Sequence, residues 1–190
     1  MSSSVDPSAI SHGAAASNML GKIALPPVNV RPVEARDLAA ILALHRRAFG
    51  PGRFVRAAHR VREGRADFSR WCLVAELNTV IVATLRMTPV TIGGADGALM
   101  LGPLAVEPVF AGQGIGRHLV AVSLEQAQAD GQRLVLLVGD EPYYGKFGFK
   151  PVPPGQIDMP GPVNRRRLLA AELQPGAASG YRGMVAAAGA

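Results

Sequence analysis

Three glycines at alternate positions, Gly112, Gly114 and Gly116, separate an apolar run ending at Val106 from a segment of helical period. Glycine tolerates positive φ and lets a ligand approach the backbone closely. Such a loop, placed directly before a helix, presents unpaired N–H groups and the positive end of the helix dipole to the space in front of it. That is an anion site, and a phosphate suits it best. Spacing narrows the choice. A dinucleotide fingerprint G-x-G-x-x-G read from Gly112 requires glycine at 117, where Arg117 stands; read from Gly114 it requires glycine at 119, which is Leu119. No βαβ unit is built around the run. A P-loop needs Gly-Lys-Ser/Thr, which the chain lacks.

A second chemically informative segment follows about 30 residues later. The apolar run Arg133 to Val138 has the character of a buried strand. It leads into Gly139-Asp-Glu-Pro-Tyr-Tyr-Gly-Lys-Phe-Gly-Phe149. Taken together, these two motifs resemble the GNAT superfamily of acetyl-CoA-dependent N-acetyltransferases. Ala111-Gly-Gln-Gly-Ile-Gly116 is similar to that family's Q/R-x-x-G-x-G/A loop, with Ala111 where Gln or Arg is usual. Tyr144 stands five residues before Phe149 of a Gly-Phe pair, the family's tyrosine spacing, and the wording resembles a bacterial subgroup. A weaker likeness at Val30 to Asp37 extends the match to roughly residues 28–150.

The resemblance implies a mixed α/β fold, mostly antiparallel and flanked by helices, whose central strands around residues 104 and 136 splay apart to admit coenzyme A. It implies that the loop of Ala111, Gly112, Gln113, Gly114, Ile115 and Gly116, with Arg117, binds the pyrophosphate. The strand from Leu99, through Leu104, Ala105 and Val106, would pair with the pantetheine arm. A backbone N–H there would meet the carbonyl oxygen of the thioester. The implied activity is direct acetyl transfer to an amine acceptor, either a small molecule or a protein amine, with no metal. Tyr144 is the implied general acid and Tyr143 a weaker stand-in.

Chemistry sets the remaining needs. A lysine-like amine is almost wholly protonated at neutral pH, so a proton must leave before attack. Glu107, Asp140, Glu141 and a water chain all remain open as the route. A phenol with an ordinary pKa near 10 keeps its proton until a thiolate needs it. His118, in the first turn of the helix, reads as a surface histidine or as a phosphate contact. Cys72, beside Trp71 and Leu73 in an apolar run, reads as a core thiol. Two other functions compete: a CoA-binding sensor or interaction module with little catalysis, and an Arg-driven nucleic-acid binder.

Composition bounds these readings. The chain has 190 residues, 48% hydrophobic, with mean hydropathy +0.19 and no transmembrane-length apolar run. A Ser-, Ala- and Gly-rich segment, residues 1–27, is expected to be a flexible tail, with residues 28–190 one domain. The lone Cys72 agrees with a reducing cytoplasm. A formal net charge of +6 comes from 17 Arg and 3 Lys, eight of the Arg lying between Arg46 and Arg70. A solvated, Arg-biased surface accounts for this, as does steering of an anionic cofactor or an acidic substrate. Nucleic acid is disfavoured, because no recognition motif accompanies the charge. No membrane partner is expected, and a homodimer is left open.

The elements that must hold these groups follow from periodicity. Asn29 to Pro32 reads as an edge strand, and Glu34 to Phe49 as a helix broken by Gly50-Pro51-Gly52. An Arg-rich helical stretch is expected over about Phe54 to Arg62. Trp71 to Glu76 and Val80 to Thr91 read as strands joined by a turn at Leu77-Asn78-Thr79, with another turn at Gly93 to Gly97 before a strand from Ala98. Gly116 to Asp130 reads as a helix. Pro151 to Pro162, with five prolines and two glycines, is expected to be loop throughout. Arg165 to Leu173 has the propensity of a helix, while the family resemblance favours a strand.

Overall fold

A computed structural model describes residues 27–50 and 68–188. Twelve helices and strands recur in the account below. They are β1 (Asn29–Pro32), α1 (Leu38–Phe49), β2 (Leu73–Leu77), β3 (Val80–Ile92), β4 (Ala95–Val106) and α2 (Ile115–Ala129). After them come β5 (Leu134–Val138), α3 (Glu141–Tyr144), β6 (Lys150–Pro151), β7 (Ile157–Asp158), β8 (Leu168–Glu172) and β9 (Gly183–Ala187). The strands form one mixed sheet in the order β1-β2-β3-β4-β5-β8-β6, with β9 pairing both β3 and β7. Pairing is antiparallel except between β4 and β5 and between β7 and β9.

Local chemistry explains the long central hairpins. Asn78 and Thr79, with φ of 48° and 68°, join β2 to β3, and Gly93 and Gly94, with φ of 56° and 87°, join β3 to β4. Two-residue turns with both φ positive match the twist of the strands they connect. Alternation then sorts the core onto two faces. Leu99 and Leu101 of β4 and Val135 and Leu137 of β5 belong to one buried cluster with Ile115, Leu119, Val120 and Ala127 of α2. Ala98, Met100, Leu134 and Leu136 belong to the other, covered by Ile157, Met159, Tyr181 and Val185. Burial on both faces is why β5 reads as an unbroken apolar run. Helix α1 packs on β3 and β4 with Ile41 and Leu44 buried.

Most important for function is where pairing stops. Strands β4 and β5 pair in parallel only from Ala98↔Leu134 to Met100↔Leu136. Beyond that, β4 stays with β3 as far as Val106↔Ala83, and β5 stays with β8 as far as Val138↔Leu168. The two strand ends are therefore held by their outer neighbours and leave a gap between them. A register shift opposite Leu85 to Met87 adds one residue to β4 there, a bulge that bends the strand as the gap opens.

Several expected boundaries change. The helical segment from Glu34 begins as a 3-10 turn, Ala35–Asp37, before α1. The strand expected from Ala98 starts at Ala95. Pro151 to Pro162 is not all loop: Pro151 belongs to β6, and Ile157–Asp158 forms β7 beside β9. Arg165 to Leu173 resolves into a 3-10 turn over Arg165–Arg167 and the strand β8, because Leu168 to Glu172 supply the partner that β5 lacks on its outer edge. Strand β9 was absent from the sequence order. The Arg-rich stretch Phe54 to Arg62 and nearly all of the expected tail lie outside the described residues. No described helix is long and apolar enough to cross a membrane.

At the sheet edge, Arg31 ties β1, the entry to α1 and β2 together. Its guanidinium donates to both Asp37 carboxylate oxygens at 2.7 and 2.9 Å and to Glu76 Oε1 at 2.5 Å. Asp37 is 4% exposed, and Arg31 holds its carboxyl below the usual range. Removing one partner strands the other charge. Asp37→Ala is expected to cost about 3 kcal/mol in urea unfolding at neutral pH. A carboxyl with a depressed folded-state pKa stabilises above its unfolded value and loses that contribution as pH falls through the folded one. The wild type should therefore weaken as pH drops below about 4, and the variant should show a flatter acid limb.

Candidate active site

The glycine loop leaves β4 through a 3-10 turn, Pro108–Phe110. The Ala111 N–H donates to Pro108 O at 3.1 Å and the Gln113 N–H to Phe110 O at 3.3 Å, while the Gln113 side chain turns back to Val109 O. Those two amides are spent inside the loop. Gly112 and Gly114, with φ of +78° and +91°, make the turns that an L side chain resists. The first intrahelical bond of α2 runs from His118 N–H to Gly114 O at 3.0 Å. The amides of Gly114, Ile115, Gly116 and Arg117 thus precede the helical ladder. Gly114 brings no side-chain cap, and the first turn holds no acid. The donor set suits a diphosphate: several N–H groups, a helix dipole and no competing carboxylate.

Strand β4 supplies the adjoining edge. The Glu107 N–H donates to Val82 O of β3 at 2.8 Å. Because successive residues of a strand point their backbone groups to opposite sides, Ala105 also faces β3, and Leu104 and Val106 direct theirs into the gap. Of the three residues read from the sequence as the pantetheine edge, Leu104 and Val106 hold the outward groups, and Ala105 is committed to the sheet.

Two tyrosines close the other side of the gap. Short helix α3 begins immediately after β5, where Asp140 O accepts from the N–H groups of both Tyr143 and Tyr144. The Tyr144 ring lies over Gly139 so closely that a Cβ on Gly139 would stand 2.5 Å from it. Phe149 packs edge-on at a centroid distance of 5.8 Å, and Tyr143 meets Tyr144 edge-on at 4.8 Å. Burial, with a smaller push from Tyr143 and Asp140, raises the Tyr144 phenol to about 12. Tyr143 crosses toward α2 instead: its Oη lies 3.0 Å from where a Gly116 Cβ would be, beside Val106 and Leu104. Burial raises its phenol too, opposed by the positive charge of Arg117.

The remaining candidates are placed as follows. Glu107 is ion-paired with Arg47 of α1, whose Nε donates to Oε1 at 2.8 Å. Asp140 faces Arg167, whose Nε stands 3.2 Å from Oδ1. Glu141 is exposed in the first turn of α3. Arg117 and His118 are partly buried at the start of α2. Cys72 is buried with its Sγ 3.4 Å from Met87 O, a core thiol. Among the described residues no group of three or more His, Cys, Asp or Glu is arranged to hold a metal. Sequence reasoning passed over Arg47, lost within an Arg-rich run, and Gly139, whose signal was its place between a buried strand and a tyrosine pair.

Sheet, gap, glycine loop and tyrosine pair define an acyltransferase of the acetyl-CoA-dependent class. Residues 29–152 match the family model of the acetyltransferase (GNAT) domain, and the chain belongs to that family. It is similar to the N-acetyltransferase YhbS of Escherichia coli, 28% identical over 156 residues, covering 81% of this chain and 90% of that protein. The crystal structure of YhbS in complex with CoA superposes with a TM-score of 0.73 over 87% of this chain and 91% of that one, at 27% identity. A GNAT acetyltransferase of Brucella melitensis, solved with acetyl-CoA, gives 0.64 over 86% and 97%, also at 27% identity.

Gly139 offers a test of the Tyr144 setting, since a Cβ there would stand 2.5 Å from the ring and 2.8 Å from Leu137 Cδ1. Gly139→Ala should leave the protein folded and lower kcat about 10- to 100-fold. CoA affinity measured by calorimetry should change far less.

Proposed function

We propose that the chain transfers the acetyl group of acetyl-CoA directly to an amine acceptor, a small molecule or a protein amine, with Tyr144 as general acid. One observation supports the reading: β4 and β5 part beyond Met100 and Leu136, with the glycine loop following β4 and Tyr144 following β5. When bound, acetyl-CoA supplies a thioester acetyl group. The amides that precede the α2 ladder would hold its phosphates, with the turns at Gly112 and Gly114 keeping that face open. Leu104 and Val106 would align its arm, and an N–H on this strand would polarise the carbonyl oxygen.

Tyr144 Oη holds the proton that the departing sulfur takes up. Its raised pKa suits that task, because the phenol neither ionises nor loses its proton at working pH. Proton removal from the acceptor amine is assigned to water. Glu107 and Asp140 are occupied by Arg47 and Arg167, and Glu141 stands in solvent. We further infer one acyltransferase domain over residues 28–190, working in a reducing cytoplasm where the buried Cys72 stays a thiol.

Tyr144→Phe should lower kcat about 100-fold while CoA affinity stays within about twofold. Loss of affinity with kcat intact would refute the acid assignment, and unchanged turnover would leave a CoA-binding module. Gly114→Asp places a side chain at φ +91° and a negative charge in front of the helix, and should abolish measurable CoA binding. The pH profile gives an independent check. An acid with a raised pKa stays active until pH passes the raised value, so kcat should show no alkaline loss through about pH 10, the ordinary tyrosine range.

A further inference from the structure

Ala111 occupies the loop position where the family places Gln or Arg, so no side-chain donor reaches the phosphates from there. We propose that Tyr143, Arg117 and Lys146 take over that task, forming a side-chain wall that grips the CoA diphosphate from the α3 side of the gap. The proposal rests on the CoA reading above.

Its first support is position. The Tyr143 hydroxyl stands against the first turn of α2, 3.0 Å from the Cβ position of Gly116, at the point where the free amides of that helix begin. Among the described residues no acceptor takes its proton. Gly116 is the residue that allows this approach, since any side chain there would meet the hydroxyl, Val106 and Leu104 together.

Charge supplies the second support. Lys146, on the turn Gly145–Phe147 directly after α3, holds its ammonium 5.6 Å from the Tyr143 ring centroid. Arg117 lies in the first turn of α2, and its positive charge acts on the same phenol. Two cations therefore gather at the positive end of a helix that has no acid in its first turn. Cations at that end work against the helix dipole. An anion seated between them is attracted by both cations and by the helix dipole, and so offsets that repulsion. A diphosphate takes N–H donors from the backbone on one side and a hydroxyl with two cations from the other.

A packing role for Tyr143 predicts something different. Its ring contacts Tyr144 and Phe147, at 4.8 and 6.4 Å between centroids, and phenylalanine preserves both contacts. Tyr143→Phe thus isolates the hydroxyl.

The test measures binding of CoA and of dephospho-CoA to the full-length chain by calorimetry at low salt. It compares the wild type with Tyr143→Phe, Lys146→Ala, the double variant, and the double variant carrying Ala111→Arg. Each single change should weaken both ligands about fivefold and the double about 25-fold. The double variant should also show a shallower salt dependence of binding. Ala111→Arg should restore part of the lost affinity by returning a cation to the loop. Unchanged affinity in the double variant overturns the proposal. So does a loss confined to CoA, which would place the wall at the 3′-phosphate, and so does a fall in kcat at constant affinity, which would make Tyr143 a partner of the acid. If Tyr143→Phe fails to fold, Lys146→Ala at an exposed position, alone and combined with Ala111→Arg, still decides. Wild-type protein that binds neither ligand would instead refute the CoA reading itself.

Discussion

The function depends on a parallel strand pair that is allowed to fail. Strands β4 and β5 share register for three residues, Ala98 to Met100 with Leu134 to Leu136. Each then follows its outer neighbour, β3 or β8. A backbone edge deprived of its neighbour carries donors and acceptors that cost free energy if buried dry. At Leu104 and Val106 the sheet leaves such groups beside a glycine loop and two phenols. On the proposed reading, an extended ligand bearing amides and phosphates would satisfy them. The gap is sheet geometry in which one strand's place is left unfilled between β4 and β5.

Glycine makes the compact arrangement possible in two distinct ways. At Gly112 and Gly114 the requirement is conformational, because φ of +78° and +91° turns the loop so that the α2 amides face outward. At Gly116 and Gly139 the requirement is space, because a Cβ would press on the Tyr143 hydroxyl at 3.0 Å and on the Tyr144 ring at 2.5 Å. The second kind fixes where the phenols sit relative to α2 and the end of β5. It also explains why Tyr144 is desolvated enough to remain an acid far above neutrality.

Legibility of the sequence followed how local each signal was. The glycine loop and the Asn78-Thr79 turn are short-range chemistry and appear where they were read, while the turn read over Gly93 to Gly97 is confined to Gly93-Gly94. Strands β7 and β9 are short, and they exist through pairing with each other and with β3 across long stretches of chain. Period and propensity carry no trace of such a partner, so a proline-rich stretch read as loop. Leu168 to Glu172 became a strand for the same reason, through β5. The candidate bases were legible as carboxylates, but Arg47 and Arg167 reach Glu107 and Asp140 from 60 and 27 residues away. Sequence alone gave no means of judging whether those carboxylates were engaged.

That last point shapes the chemistry more than any single residue. Arg47 and Arg167 draw the Glu107 and Asp140 carboxylates into ion pairs, while the Tyr144 phenol after β5 is kept protonated by desolvation. Under the mechanism proposed above, which leaves proton removal to water, the suited acceptors are amines that shed a proton without a strong local base. That mechanism puts acid and base work on unequal footings, because the Tyr144 ring is held between Gly139 and Phe149 whereas solvent at the open edge is not fixed by any side chain it uses.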